Sequence, residues 1–184
     1  PYFEKAIEID KTFALVYLML QGAYVMTNKG DKRAEVAKKL MEYSYKLPES
    51  YQYLPKVIYF SVKQDIEKIE QVMRMHFDIF PYDIQAREIW VQILLSDGKY
   101  EEIIESYELL LTVIPNRYDF LLKIGEMYNT FLGDEDKAME YYNQYLEYLP
   151  NDHKVHQKLA RLYRSRGNEG DKDKARASWN KVAL

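Results

Sequence analysis

The side chains in this sequence with the potential for chemistry are few. There are three histidines, His76, His153 and His156, and no cysteine. Lack of cysteine excludes disulfides, thiolate zinc sites, iron–sulfur clusters and cysteine nucleophiles. His153 and His156 stand three apart next to Asp152, a spacing that can begin a metal site on a helix. No other ligand-type residue is placed to complete it, and the pair opens a surface helix. His76 falls beside Met73 and Phe77 and reads as a packing residue. The acidic groups Glu101-Glu102 and Asp134-Glu135-Asp136 offer carboxylates for acid–base work, yet both begin helices, where the macrodipole favours negative charge. No glycine-rich phosphate loop, nucleophile elbow or zinc-protease helix occurs. The expectation is no catalytic residue, no metal site, no cofactor and no enzyme.

The elements that must carry these residues are helices. In 184 residues there are only 7 glycines and 6 prolines against 47% hydrophobic residues, and tyrosine, at 18, is heavily overused. Net charge is −3, but unevenly spread: residues 1–96 balance, 97–150 hold 4 basic and 12 acidic side chains, and 151–184 hold 9 and 4. A short basic end behind an acidic stretch is not the continuous positive track that nucleic acid requires. Seventeen uncharged residues, Thr12 to Asn28, reach the lower edge of a membrane-spanning length of ~17–25. They contain Tyr17, Gln21, Gly22 and Thr27 at soluble-helix spacing, so no membrane span is expected. The chain opens on Pro1-Tyr2-Phe3-Glu4-Lys5 with neither Met nor a basic-then-apolar leader, and reads as a piece of a longer, cytoplasmic protein whose parent can be membrane-attached.

Punctuation reveals a repeat. Pro48, Pro81, Pro115 and Pro150 are 33, 34 and 35 apart; Gly30 and Gly98 are separated by 68, and Gly133 and Gly167 follow at 35 and 34. Proline pushes its predecessor out of the α region, and glycine accepts the left-handed conformation that closes helices. Each period of about 34 is therefore helix, glycine turn, helix, proline turn. Within it recur Leu121-x2-Ile124-Gly125-x2-Tyr128, Ala138-x3-Tyr142 and Pro150, and again His156-x2-Leu159-Ala160-x2-Tyr163 with Ala175-x3-Trp179. Weaker copies are Trp90-Val91-x2-Leu94 with Ile103-x3-Tyr107, Tyr17-x2-Leu20-Gln21-x2-Tyr24, and Ile69-x3-Met73.

These motifs resemble the tetratricopeptide repeat (TPR) family over essentially the whole chain. The resemblance implies an all-α fold, a right-handed α-α superhelix of helix–turn–helix hairpins, as a single solenoid over 1–184. A half-repeat covers 1–13, and hairpins cover 14–47, 48–81, 82–115, 116–150 and 151–184. Helices are expected at about 1–10, 14–28, 31–46, 49–63, 65–80, 82–97, 99–114, 116–132, 135–149, 151–166 and 171–183. Pro55 requires the helix after Pro48 either to start near Tyr53 or Leu54 or to kink. Gly125 and Ala160 should admit a neighbouring helix closely. Tyr24, Phe60, Leu94, Tyr128 and Tyr163 should fill the gap on first helices, and Met41, Met73, Tyr107, Tyr142 and Trp179 on second helices. The stretch Gly167–Lys174 lengthens the last inner turn and is expected to be mobile.

In TPR arrays the first helices line a concave groove, and the resemblance assigns its lining here. It comprises Leu15, Leu18, Gly22 and Val25; Tyr51, Leu54, Ile58 and Ser61; Gln85, Glu88, Gln92 and Leu95; Asp119, Leu122, Glu126 and Asn129; and Lys154, Gln157, Arg161 and Arg164. Lys158 flanks the last set. The lining runs from apolar through acidic to basic, and Asp119, Glu126 and Asn129 are placed to hold some of the cations. Members of the family that clamp acidic C-terminal tails carry basic residues where Lys154 and Lys158 stand, but Glu88 and Gln92 replace the Lys and Asn of their first clamp hairpin. The Leu47-Pro48-Glu49 hinge is similar to one in TPR regions attached to prokaryotic signalling and regulatory proteins. The resemblance implies a protein-interaction scaffold that binds a peptide or partner domain in the groove, with acidic partner residues at the basic end and apolar ones near Tyr51, Leu54 and Ile58. Two alternatives are a sensory or regulatory segment of a transcription regulator, kinase or cyclase, and a carbohydrate-binding solenoid with several tyrosines in one cleft. Tyr2, Phe3 and Ile7 at one end and Trp179 and Val182 at the other should be exposed and favour self-association.

Overall fold

A computed structural model describes residues 2–27 and 30–182, the side chains of Gly30 and Val182 excepted. Among the described residues there are eleven α-helices and no strand. In order they are α1 (Tyr2–Ile9), α2 (Ala14–Met26), α3 (Gly30–Glu42), α4 (Tyr53–Val62), α5 (Ile66–Ile79), α6 (Ile84–Asp97), α7 (Tyr100–Val113), α8 (Asp119–Met127), α9 (Glu135–Tyr148), α10 (His153–Arg166) and α11 (Asp171–Val182). They form two compact units, divided between Asp83 and Ile84. The expected all-α class of stacked hairpins holds; the expectations for Pro1, Asn28, Lys29, Ala183 and the Val182 side chain lie outside the described residues.

The punctuation acts as its chemistry dictates. Phe80, Ile114 and Leu149, each preceding a proline, close α5, α7 and α9 with φ between −124 and −130 and ψ near 70. Gly98, Gly133 and Gly167 all have φ between 66 and 73. The missing beat between Gly30 and Gly98 is filled by Gln64, whose φ of 57 is left-handed. A side chain there costs roughly 1–2 kcal/mol. Gln64→Gly is therefore expected to raise stability by about 0.5–1 kcal/mol, read as a higher urea midpoint with unchanged circular dichroism. A lower midpoint would show that the Gln64 side chain outweighs the backbone strain.

Helix starts are capped by aspartates: Asp65 accepts from Lys68 N, Asp134 from Lys137 N, and Asp152 from Lys154 N and Val155 N. α4 begins late, at Tyr53, with Pro55 buried in its first turn, where the absent N–H leaves no intrahelical bond unmade. The segments expected as 31–46 and 49–63 are each broken by a 3-10 turn, Ser44–Lys46 and Glu49–Tyr51, on either side of Leu47-Pro48. The one-residue excess between Gly98 and Gly133 is taken up as a π turn, Tyr128–Leu132, at the end of α8.

The core of the C-terminal unit joins Leu121, Ala138, Met139, Tyr142, Tyr145, Val155, Leu159 and Leu162 from α8, α9 and α10. Gly125 lies against the Tyr142 ring as expected, and Ala160 is fully buried. Each fully buried side chain of this size contributes about 1.5–3 kcal/mol relative to exposure. In the N-terminal unit Ala14, Tyr17, Leu40 and Leu47 form the cluster, with Ile7 packed against it. Three packing expectations are corrected. Leu40, fully buried, takes the place assigned to Met41, which is half-buried because α3 turns its Ala37–Leu40 face inward. Ile7 is half-buried against that cluster, leaving Tyr2 and Phe3 exposed at that end. Trp179 does not fill the second-helix gap but is 37% exposed, as expected of that end, while Ala175 carries the burial in α11.

Candidate functional site

Gln85, Glu88 and Gln92, spaced three and four apart, lie on one face of α6 and line a 580 Å³ cavity in the C-terminal unit. Ile89, Tyr107 and Lys123 complete its walls. Burial, together with the charges of Glu88, Asp119 and Glu126, pushes the Tyr107 hydroxyl up to about 12. Lys123 stands over the Tyr107 ring at 5.3 Å and reaches Asp119 at 3.6 Å. The Asp119 carboxylate accepts from both Arg117 Nε and an Arg117 terminal nitrogen, at 2.8 and 3.0 Å, which holds its pKa below the usual carboxylate range. Arg117 also approaches Glu88 at 3.7 Å. This middle stretch is a largely self-compensated polar wall.

The basic stretch differs. Lys158 reaches Glu126 at 3.0 Å, but Lys154, Arg161 and Arg164 are exposed on α10 and make no ion pair with a described residue. The expectation that Asp119 and Asn129 hold these cations is therefore corrected. Asp119 is occupied by Arg117 and Lys123, and Asn129 sits half-buried in the π turn. Sequence reasoning missed Arg117, whose signal was its position two residues before an acidic helix start.

In the N-terminal unit a 470 Å³ cavity is lined mainly by Phe13, Ala14, Leu15, Leu18, Leu47, Pro48 and Tyr51, with Asp10, Thr12 and Lys46 at its rim. Of the apolar residues expected there, Tyr51 is exposed and lines the cavity from the 3-10 turn, Ile58 packs against the Ala14–Tyr17 cluster, and Leu54 is half-buried outside the lining. Phe13 and the rim residues were not foreseen, because they lie in turns rather than on first helices.

The groups with reactive potential are engaged structurally. His76 is buried, its ring 4.0 Å from that of Tyr53 and its Nε2 3.0 Å from Asp83 Oδ2. It is a cross-link between α5 and the turn before α6, more than a tolerated filler. His153 Nδ1 and His156 Nε2 donate to the carbonyls of Lys181 and Pro150. Among the described residues no group of three or more His, Asp or Glu side chains is arranged to hold a metal ion. Glu135 and Asp136, at the start of α9, accept from Ser165 and Arg166 of α10. The Gly167–Lys174 stretch expected to be mobile is braced at its end, where Arg166 holds the Asp171 carboxylate through two hydrogen bonds. The five exposed tyrosines, Tyr2, Tyr45, Tyr51, Tyr82 and Tyr148, lie on different helices and turns, which does not favour the carbohydrate reading. No helix among the described residues is long and apolar enough to cross a membrane.

Comparison with known proteins places this geometry among relatives. Residues 119–152 match the family model described as Tetratricopeptide repeat. The chain is similar to the Photosystem I assembly protein Ycf3 of Rippkaea orientalis, with 29% identity over 57% of the chain and 67% of that protein. It is also similar to Ycf3 of Cyanophora paradoxa, with 32% identity over 48% of the chain and 55% of that protein, so it spans about half the length of that relative. Among solved structures, MamA of Desulfovibrio magneticus RS-1 superposes with a TM-score of 0.64 at 15% identity, covering 92% of this chain and 93% of that one. YrrB, described as a TPR protein with an unusual peptide-binding site, gives 0.61 at 14% identity over 99% and 91%.

Proposed function

We propose that the chain, in which residues 119–152 match the tetratricopeptide-repeat model, is a protein-interaction scaffold whose C-terminal unit binds an acidic segment of a partner. The unpaired cations of α10 carry the reading. Lys154, Arg161 and Arg164 recur at spacings of seven and three, so they share one helical face, and they are exposed and make no ion pair with a described residue. Arginine presents a planar fork suited to carboxylates. Lys158 is already paired with Glu126, but an exposed pair is worth only ~0–1 kcal/mol, so an incoming carboxylate competes for it at little cost. Gln85, Glu88 and Gln92, with Asn129, would contribute hydrogen-bonding groups to the same unit, while Tyr51, Leu54 and Ile58 serve the other. YrrB's peptide-binding site and the assembly role named for Ycf3 are in keeping with a protein partner. Nucleic acid is not the proposed partner, because the basic residues of 151–184 follow an acidic stretch and form no continuous positive track. No chemistry is assigned to the scaffold.

The test is binding of a fluorescent Glu/Asp-rich peptide. Wild type should bind it with an affinity that falls as salt rises, and Arg161→Glu with Arg164→Glu should weaken binding by at least about tenfold while leaving helicity unchanged. If the double variant binds the peptide as wild type does, the α10 face is solvated surface and the reading fails.

A further inference from the structure

We propose that the acidic segment bound on α10 also carries a basic residue, an arginine or lysine, which takes the carboxylate of Glu126 when the segment's own carboxylate takes Lys158. This rests on the acidic-segment reading above and supplies the second half of its chemistry. Lys158 Nζ lies 3.0 Å from Glu126 Oε1, and the two side chains are 36 and 39% exposed, so a ligand can reach both. Glu126 makes no other ion pair with a described residue. An incoming carboxylate therefore takes Lys158 only by leaving Glu126 unpaired, and it then stands at close range to a like charge.

The neighbouring cations are already committed. Lys123 precedes Glu126 by three residues on α8, a spacing that could pair them. It is drawn instead to Asp119 at 3.6 Å and stands over the rings of Tyr107 and Phe120 at 5.3 and 5.2 Å. Arg117 is spent on both oxygens of Asp119 and approaches Glu88. With Lys158 paired elsewhere, the carboxylates of Glu88, Asp119 and Glu126 share only Arg117 and Lys123. One negative charge is left over, and its field reaches the 580 Å³ cavity. Burial first, and then the charges of these same three carboxylates, keep the Tyr107 hydroxyl in the cavity wall protonated. The cavity has room for an arginine side chain, whose planar fork suits a carboxylate. One internal pair is thus exchanged for two intermolecular ones. The exchange also discriminates, because a uniformly acidic segment leaves Glu126 opposed to it and a bipolar one does not.

The experiment uses the full chain and three fluorescent peptides of equal length: a Glu/Asp block alone, and the same block with one arginine on its N-terminal or its C-terminal side. In wild type, arginine on one side should give binding about two- to fivefold tighter than arginine on the other, and the favoured side shows which way the segment runs. Glu126→Gln should remove that difference. It should also tighten the arginine-free peptide by about two- to fivefold, because Lys158 then has no internal rival. In a Lys158→Met background the same substitution should change that affinity by less than about twofold, with circular dichroism the same in every variant. Equal binding of the two arginine peptides to wild type, or a side preference that survives Glu126→Gln, would overturn the proposal. So would weaker binding of the arginine-free peptide by Glu126→Gln, or a gain that persists without Lys158. Each of these outcomes leaves the acidic-segment reading standing, whereas failure of the arginine-free peptide to bind wild type would end both.

Discussion

Gly125→Ala should lower stability by about 1–3 kcal/mol, although alanine is the better helix former by about 1 kcal/mol. A Cβ at Gly125 would lie 2.6 and 2.7 Å from two ring carbons of Tyr142 and 3.3 Å from the Ala138 carbonyl. Neither neighbour can give way easily. Tyr142 is fully buried in the cluster joining α8, α9 and α10, and the carbonyl belongs to the α9 backbone. The helices must then move apart, which loosens contacts on both sides of α9. Gly22→Ala is the matched control: with nothing within 4 Å, alanine there should be neutral or stabilising by up to about 1 kcal/mol. Urea midpoints of the two variants decide it. Tyr142→Leu in the alanine background should restore part of the loss, a coupling that only a shared clash produces. A Gly125→Ala protein as stable as wild type would mean that the hairpin is packed more loosely than its geometry states.

Acid should open the α10–α11 hairpin before the rest of its unit. Asp171 is 1% exposed and accepts hydrogen bonds from Arg166 Nε at 2.8 Å, Arg166 Nη2 at 2.7 Å and the Asn168 N–H at 3.0 Å. These bonds, the guanidinium's foremost, hold its carboxyl below the usual carboxylate range. An aspartate in the unfolded chain titrates near 3.9. A depressed native value means that the pairing stabilises the fold fully above about pH 4 and is lost as pH falls through the native pKa. Amide protection factors of α11, corrected for the intrinsic pH dependence of exchange, should therefore fall below about pH 4, ahead of those of α8 and α9. Asp171→Asn should destabilise the hairpin at neutral pH and flatten that acid dependence, because the asparagine does not titrate. If the variant keeps the wild-type acid profile, another carboxylate is responsible. Asp136, at 2.6 Å from the same guanidinium, is the next to test.

Most of the architecture was legible because proline and glycine restrict the backbone before any packing occurs. Phe80, Ile114 and Leu149 end helices for a reason readable in the next residue. The left-handed turn at Gln64 was not legible, since only the period points to it and the residue type argues against it. Likewise the choice between Leu40 and Met41 depends on a small rotation of α3 against α2, which adjacent apolar residues leave open. Helical spacing indicates part of the lining, whereas Leu54 and Ile58 fall outside the N-terminal cavity. Gln85, Glu88 and Gln92 do share a cavity, and Arg161 and Arg164 are exposed. The ion pairs were not legible, because long side chains choose partners across hairpins by reach: Arg117 takes Asp119, and Lys158 takes Glu126.

The links between successive hairpins in the C-terminal unit are short in sequence. Tyr141 to Glu108, Ser165 to Glu135 and Arg166 to Asp136 span 33, 30 and 30 residues. Each hairpin therefore needs only its predecessor as a template. Ribosomes add ~5–20 residues per second, so one hairpin of about 34 residues takes seconds to emerge, whereas helical folds of low contact order form in microseconds to milliseconds. Within this unit each hairpin can settle on the one before it while the next is still in the exit tunnel. The apolar flank awaiting the next hairpin is then a surface a nascent chain must keep from aggregating, and it is renewed once per repeat.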